Sequence, residues 1–204
     1  MSPVESSTRT SNRHLAHLSI VERGKLAAVA GDHDMALECY RTGLRMAQSL
    51  SAPGPFARHY TDCILDSLER AGRLEPALSL CESAGRELSE VPSPNPLQRR
   101  DHATLLLRQA LLLLRLGRER DADLRLAESI AIARPGRLPL AEEIQGWRAR
   151  ALTLTPERLD EAQARHGYYT VRRDTLRPDL ARMSETHVDR RSFPRHQEVT
   201  PPRS

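Results

Sequence analysis

Aromatic side chains are scarce in this chain, with two Phe, four Tyr and one Trp in 204 residues. A core must then be built from Leu, Ala, Val and Ile, which suits closely packed helices better than a β-sandwich. Cysteine is as thinly spread: Cys39, Cys63 and Cys81 are odd in number, far apart and free of any CxxC spacing, so neither a disulfide framework nor a zinc site is indicated. The most apolar run, 105 to 116, is broken by Arg108, Gln109 and Arg115 and falls short of the roughly 20 residues a spanning helix needs. Residues 1 to 13 are polar apart from Val4 and lack the apolar run of a secretory signal. GxSxG, phosphate-loop and dinucleotide motifs are all missing, and no two of the eight histidines join a carboxylate in a metal-binding pattern. These absences lead us to expect a soluble, reduced, cytoplasmic protein that is not an enzyme and carries no cofactor.

Lysine is almost absent too, since Lys25 is the only one. The formal net charge is +4, and its position matters more than its size. Residues 165 to 204 hold nine Arg against five acidic residues, while residues 1 to 164 hold 22 of each sign. The excess therefore sits in the C-terminal tail. A codon-biased genome accounts for the Arg-for-Lys usage as readily as phosphate binding does.

What the chain does have is a repeat. Gly31, Gly72 and Gly117 each close an apolar helical stretch, and each is followed five residues later by an alanine, Ala36, Ala77 or Ala122, on a second stretch. Spacings of 41 and 45 residues suit a helix–turn–helix unit that recurs and stacks. Three-to-four periodicity predicts helices over 15–30 and 33–50, over 56–71 and 74–88, and over 97–116 and 119–133. Asp32 is a candidate N-cap, as is Asn95, with Pro96 at the first helical position behind it. A seventh helix, 138–154, would cap the last pair, and Thr155-Pro156 would start a short helix ending near His166. The expected organisation is a flexible N-terminus over 1–13, a helical repeat domain over 14–167 and a basic, mostly disordered tail over 168–204. Within that tail, Tyr168 and Tyr169 are candidates to pack, and a short helix near 178–187 is the one further element suggested.

Gly24, Gly31-Asp32, Ala36, Tyr40 and Gly43-Leu44 stand in the register of a tetratricopeptide repeat, which the first unit resembles. Gly24 inside a helix suggests a close crossing, with Ala36 as the small residue opposite it and Tyr40 filling the gap to the next pair. The second unit keeps Gly72, Ala77 and Ala84, and the third keeps Ala110, Gly117 and Ala122. The long spacing looks more like the extended tetratricopeptide-like arrays of bacterial regulators and sensors. The resemblance covers about residues 15 to 154. It implies an all-α solenoid of about three helix pairs plus a capping helix, with ligands lying along the concave face of the first helix in each pair.

Carried through the glycine register, that face would hold Val21, Lys25 and Ala28, then His59, Asp62, Asp66 and Glu69, then Thr104, Leu107, Arg108 and Leu111. Of these, Lys25, His59, Asp62, Asp66, Glu69 and Arg108 are the candidate ligand residues. Asp62, Asp66 and Glu69 share a helical face by spacing and would form an acidic patch. Such a patch calls for a ligand bearing Arg or Lys, and the basic tail of the same chain is one candidate. A solvated face pairing with Arg58, Arg70 or Arg73 is the simpler alternative, and Arg108 and Arg115 have the same two readings, a ligand's acidic end or a neighbouring helix. The resemblance implies a protein–protein adaptor or scaffold that binds a peptide or partner helix, with self-association through an uncovered end left open. The alternative is a nucleic-acid-associated regulator whose solenoid is a sensor or dimer platform and whose tail, Arg172, Arg173, Arg177, Arg182, Arg190, Arg191 and Arg195, contacts phosphates.

Overall fold

A computed structural model describes residues 3–134 and 137–187, with side chains from 14 to 134 and from 137 to 182. Within these bounds the protein is all-α. Its elements are α1 (Pro3–Val29), α2 (His33–Ser49), α3 (Gly54–Arg70), α4 (Leu74–Ser89), α5 (Pro96–Arg115), α6 (Glu119–Ala133), α7 (Pro139–Ala149), α8 (Pro156–Arg165), a single 3-10 turn (Arg173–Thr175) and α9 (Pro178–His187). Among the described residues there is no strand, and no helix is long and apolar enough to cross a membrane.

Helix starts follow their caps. Asp32 accepts a hydrogen bond from the Met35 amide at 3.0 Å, Asn95 and Gln98 close a reciprocal capping box ahead of α5, and the Thr155 hydroxyl accepts from Arg158 N. Helix ends follow the glycines. At Gly72 the backbone turns left-handed (φ 71°), so that Arg73 N–H reaches back to Leu68 O at 2.8 Å and Gly72 N–H to Glu69 O at 3.0 Å. Gly31 and Gly117 repeat this geometry, and so does Gly167 (φ 61°), whose turn sends Tyr168 N–H back to Gln163 O at 2.9 Å.

Each helix packs on the next along the chain from α1 to α7, while α9 returns to lie on α1. The α1–α2 crossing is close: a Cβ at Gly43 would stand 2.3 Å from Val21 Cγ2, and one at Gly24 would fall within 2.9 Å of Cys39 and Tyr40. Gly24 thus marks a tight crossing as its position suggests, but the opposing side chains are Cys39 and Tyr40 rather than Ala36. Two apolar clusters result. One joins α1 to α5 around Tyr40, Tyr60, Leu65, Leu68 and Cys81, and the other joins α5 to α8 around Leu111, Leu126, Ile144, Trp147 and Leu159.

Three boundaries differ from expectation. Helix α1 begins at Pro3, inside the segment read as flexible, and α7 ends at Ala149 because Ala151 adopts a left-handed turn (φ 52°) of the same kind as the glycines. Packed structure also continues past residue 168, through Val171, the 3-10 turn and α9. The disorder expected of residues 188–204 lies outside the described residues.

Candidate interaction face

Spacing alone places His59, Asp62, Asp66 and Glu69 on one side of α3, and the fold turns that side toward α5. Arg108 on α5 donates from Nη1 to Glu69 Oε1 at 2.6 Å and from Nη2 to Asp66 Oδ1 at 2.8 Å. All three side chains are at most 4 % exposed, so this is a buried triad and not a solvated patch. Neither reading of the acids from sequence named their partner: Arg58 pairs with Asp101, Arg73 pairs with Asp34, and Arg70 lies over the Tyr169 ring at 4.3 Å. Arg115 likewise pairs with a neighbouring helix, at Asp160 and Gln163 on α8.

Two buried carboxylates against one guanidinium leave acceptor capacity to be met. The chain's own segment after Gly167 meets it. The Tyr168 hydroxyl donates to Glu69 at 3.1 Å, with Arg108 4.8 Å from the centre of its ring, and the Val171 backbone N–H donates to Asp66 Oδ2 at 2.9 Å. Farther along, Arg177 N–H donates to Glu22 Oε2 at 3.0 Å and the Ser19 hydroxyl donates to Ala181 O at 3.3 Å. Glu22 is the acceptor on this face to which the sequence did not point. It also accepts from Lys25 Nζ at 2.8 Å, and the only available signal was that three-residue spacing on α1.

Residues 168–182 therefore form a strap across α3 and α1. The tail reaches the acids, as charge suggested, but not through its arginines: Arg172 turns to Asp174 and to Tyr169 O, while a phenol and two amides do the donating. A cavity of about 600 Å³ opens along the strap's flank, bordered by Arg70, Arg115, Asp160 and Tyr169.

The remaining candidates divide. Asp62 is partly buried and has no hydrogen-bonded partner among the described residues. Burial, together with the charge of Asp66 and against the attraction of Arg108 and Arg58, raises its pKa to about 6. His59 sits 3.9 Å from Cys63 Sγ, and burial followed by nearby Lys25 lowers its pKa. Val21 turns into the α1–α2 crossing, Ala28 joins the first core, Leu107 and Leu111 join the second, and Thr104 is exposed and bonded to Arg100 O. Burial holds the Glu69 carboxyl above its usual range and raises the Cys81 thiol to about 12, leaving that thiol protonated and unreactive at neutral pH. Among the described residues, no group of His, Cys, Asp and Glu is arranged to hold a metal ion.

What this face can do chemically is hold a polypeptide, because its fixed acceptors fit amide and hydroxyl donors. No protein-family model, no curated protein and no solved structure matches this chain.

Proposed function

We propose that the protein is a tetratricopeptide-like adaptor or scaffold that binds a peptide segment of a partner protein on the face formed by α1, α3 and α5. The observation that carries this reading is the strap itself: a stretch of polypeptide already lies on that face, its amides and a hydroxyl accepted by Asp66, Glu69 and Glu22. A preformed acceptor set of this kind costs little to order on binding. Asp62, left without a partner beside it, suits a basic side chain on the incoming segment. The phosphate-binding alternative gains less support. Arg172 is paired with Asp174, and Arg190, Arg191 and Arg195 lie outside the described residues. That the chain is not an enzyme and that its setting is cytoplasmic remain parts of the proposal.

Selection of displayed random peptides on the full chain, and on the full chain carrying Val171→Asp to loosen the strap, tests the reading. Enriched peptides are expected to share a basic residue and to lose about tenfold or more in affinity against Asp62→Lys, the cost of reversing one charge contact. No enrichment on either chain, or peptides indifferent to Asp62→Lys, overturns it. Retention of nucleic acid with steep salt dependence would favour the phosphate-binding alternative.

A further inference from the structure

Among the four glycine turns, those at Gly31, Gly72 and Gly117 each lead into a helix that packs back on its predecessor, whereas Gly167 leads into the strap. The strap is poorly built as core. Of residues 168 to 182 only Val171 and Ala181 are buried; the Tyr168 and Tyr169 rings lie against Arg108 and Arg70, and the hydrogen bonds to the face run through main-chain N–H and C=O groups and one phenol. Such groups are what any extended peptide offers.

The floor beneath is equally informative. Arg108 already bridges Asp66 and Glu69, and Lys25 already neutralises Glu22, so lifting the strap leaves every one of these carboxylates beside a cation, with Asp66 and Glu69 sharing one. Asp66 Oδ2 would exchange the Val171 amide for water, and Glu69 would exchange a phenol for water.

We propose that residues 168–182 are a displaceable internal ligand, and that the surface they cover is the docking surface for an extended partner segment carrying a tyrosine three residues before a valine-sized residue. This deepens the adaptor reading and rests on it. The tyrosine hydroxyl of such a segment donates to Glu69 with its ring beneath Arg108, its branched residue fills the Val171 socket, and that residue's N–H donates to Asp66. Docking competes with the strap, so the apparent affinity of the intact chain is reduced by the fraction of molecules in which the strap is open.

The test uses the full-length chain and a fluorescent synthetic peptide of residues 168–182, read by anisotropy. Wild type is expected to bind it about tenfold or more weakly than full-length Val171→Asp, whose own strap carries a charge into the socket. Peptide N-methylated at the Val171 amide should lose about tenfold or more against that same variant, because the donor to a buried carboxylate is gone while the protein is untouched. Helical circular dichroism and a cooperative melt are checked in Val171→Asp. In wild type, native-state hydrogen exchange should show the Val171 and Arg177 amides exchanging through a local opening, ahead of the α3 and α5 amides. Failure of a folded Val171→Asp to bind the peptide, indifference to N-methylation, unfolding of Val171→Asp, or exchange of Val171 only with the global core each overturns the proposal. If displayed peptides still bind in an Asp62-dependent way while the 168–182 peptide does not, the adaptor reading stands and this inference alone fails.

Discussion

At the scale of single residues, Asp62 is the side chain with most still to gain. It lies one turn before Asp66 on α3, between the attraction of Arg108 and Arg58 and the repulsion of Asp66, and burial dominates all three. Its folded pKa of about 6 lies above the ordinary carboxyl value of 3.8, so between those limits the folded chain binds more protons than the unfolded one and stability falls as pH rises. Above pH 6 the full cost of holding the charge is present, on the order of 3 kcal/mol. Asp62→Asn is therefore expected to stabilise the chain by about that amount near pH 7.5 and by almost nothing near pH 4. Urea melts of both chains at the two values measure it, and an equal effect at both, or a loss at neutral pH, refutes the assignment. Comparing the two chains also cancels the histidines, which run the other way. His17 is fully buried 2.7 Å from the Tyr60 hydroxyl, and burial followed by the charge of His14 lowers its pKa, so it contributes loss of stability as pH falls below the usual histidine value of 6.5. Residue chemistry of this kind was only half visible in the sequence. The spacing of Asp62, Asp66 and Glu69 put them on one face, but burial, which separates an unmet acid from two satisfied ones, is a property of neighbours from other helices.

At the scale of elements, local signals set the helices and long-range pairing set the site. Asp32, Asn95 and Thr155 cap as their residue types dictate, and Gly31, Gly72 and Gly117 end helices in a left-handed turn that lets the chain double back. Gly167 makes the same turn yet escaped the pattern, because Arg172, not alanine, stands five residues on. No helix that packs back on α8 follows it directly, and so no small residue is needed there. Leu138–Leu154 read as one helix because nothing in the sequence marks Ala151 as a left-handed stop where glycine is the usual choice. The partner of the acids was illegible for a different reason: Arg108 is 39 and 42 residues away in sequence, and Val171 is 105. That pairing joins α3 to α5, and its worth is open to measurement. Arg108→Met keeps the apolar volume and strands two buried carboxylates, for an expected loss of about 3–5 kcal/mol near neutral pH. Burial already raises the Glu69 carboxyl above its usual range, so protonation relieves the stranded pair and the loss should shrink in acid. Urea melts at pH values near 7.5 and 4.5 decide, and a loss that is the same at both would mean that packing, not charge, ties α3 to α5.

At the scale of the whole molecule, the architecture is a succession of neighbours in which α5 belongs to both halves. Leu105, Leu112 and Leu113 of α5 join the first cluster, while Leu107, Ala110 and Leu111 join the second. The strap crosses back over this division: it leaves α8 in the second half, and Val171 is buried in the first cluster. Besides α5 and the strap, α6 links the halves, with Ala122 in the first cluster and Leu126 in the second, and of these links the two helices are held chiefly by apolar packing. A chain built of such nearest-neighbour contacts loses cooperativity when one half is weakened. Trp147, the single tryptophan, reports the second half alone, since it packs there with Arg158 4.6 Å from the centre of its ring. Ile144→Ala opens a cavity in that half at a cost of about 2–5 kcal/mol. In urea, wild type is expected to show one midpoint by tryptophan fluorescence and by far-ultraviolet circular dichroism. In Ile144→Ala the fluorescence midpoint should fall below the dichroism midpoint, because α1 to α4 persist while α7 and α8 have melted. Midpoints that fall together would mean that α5 carries any weakening of the second cluster into the first, and that the molecule unfolds as one unit.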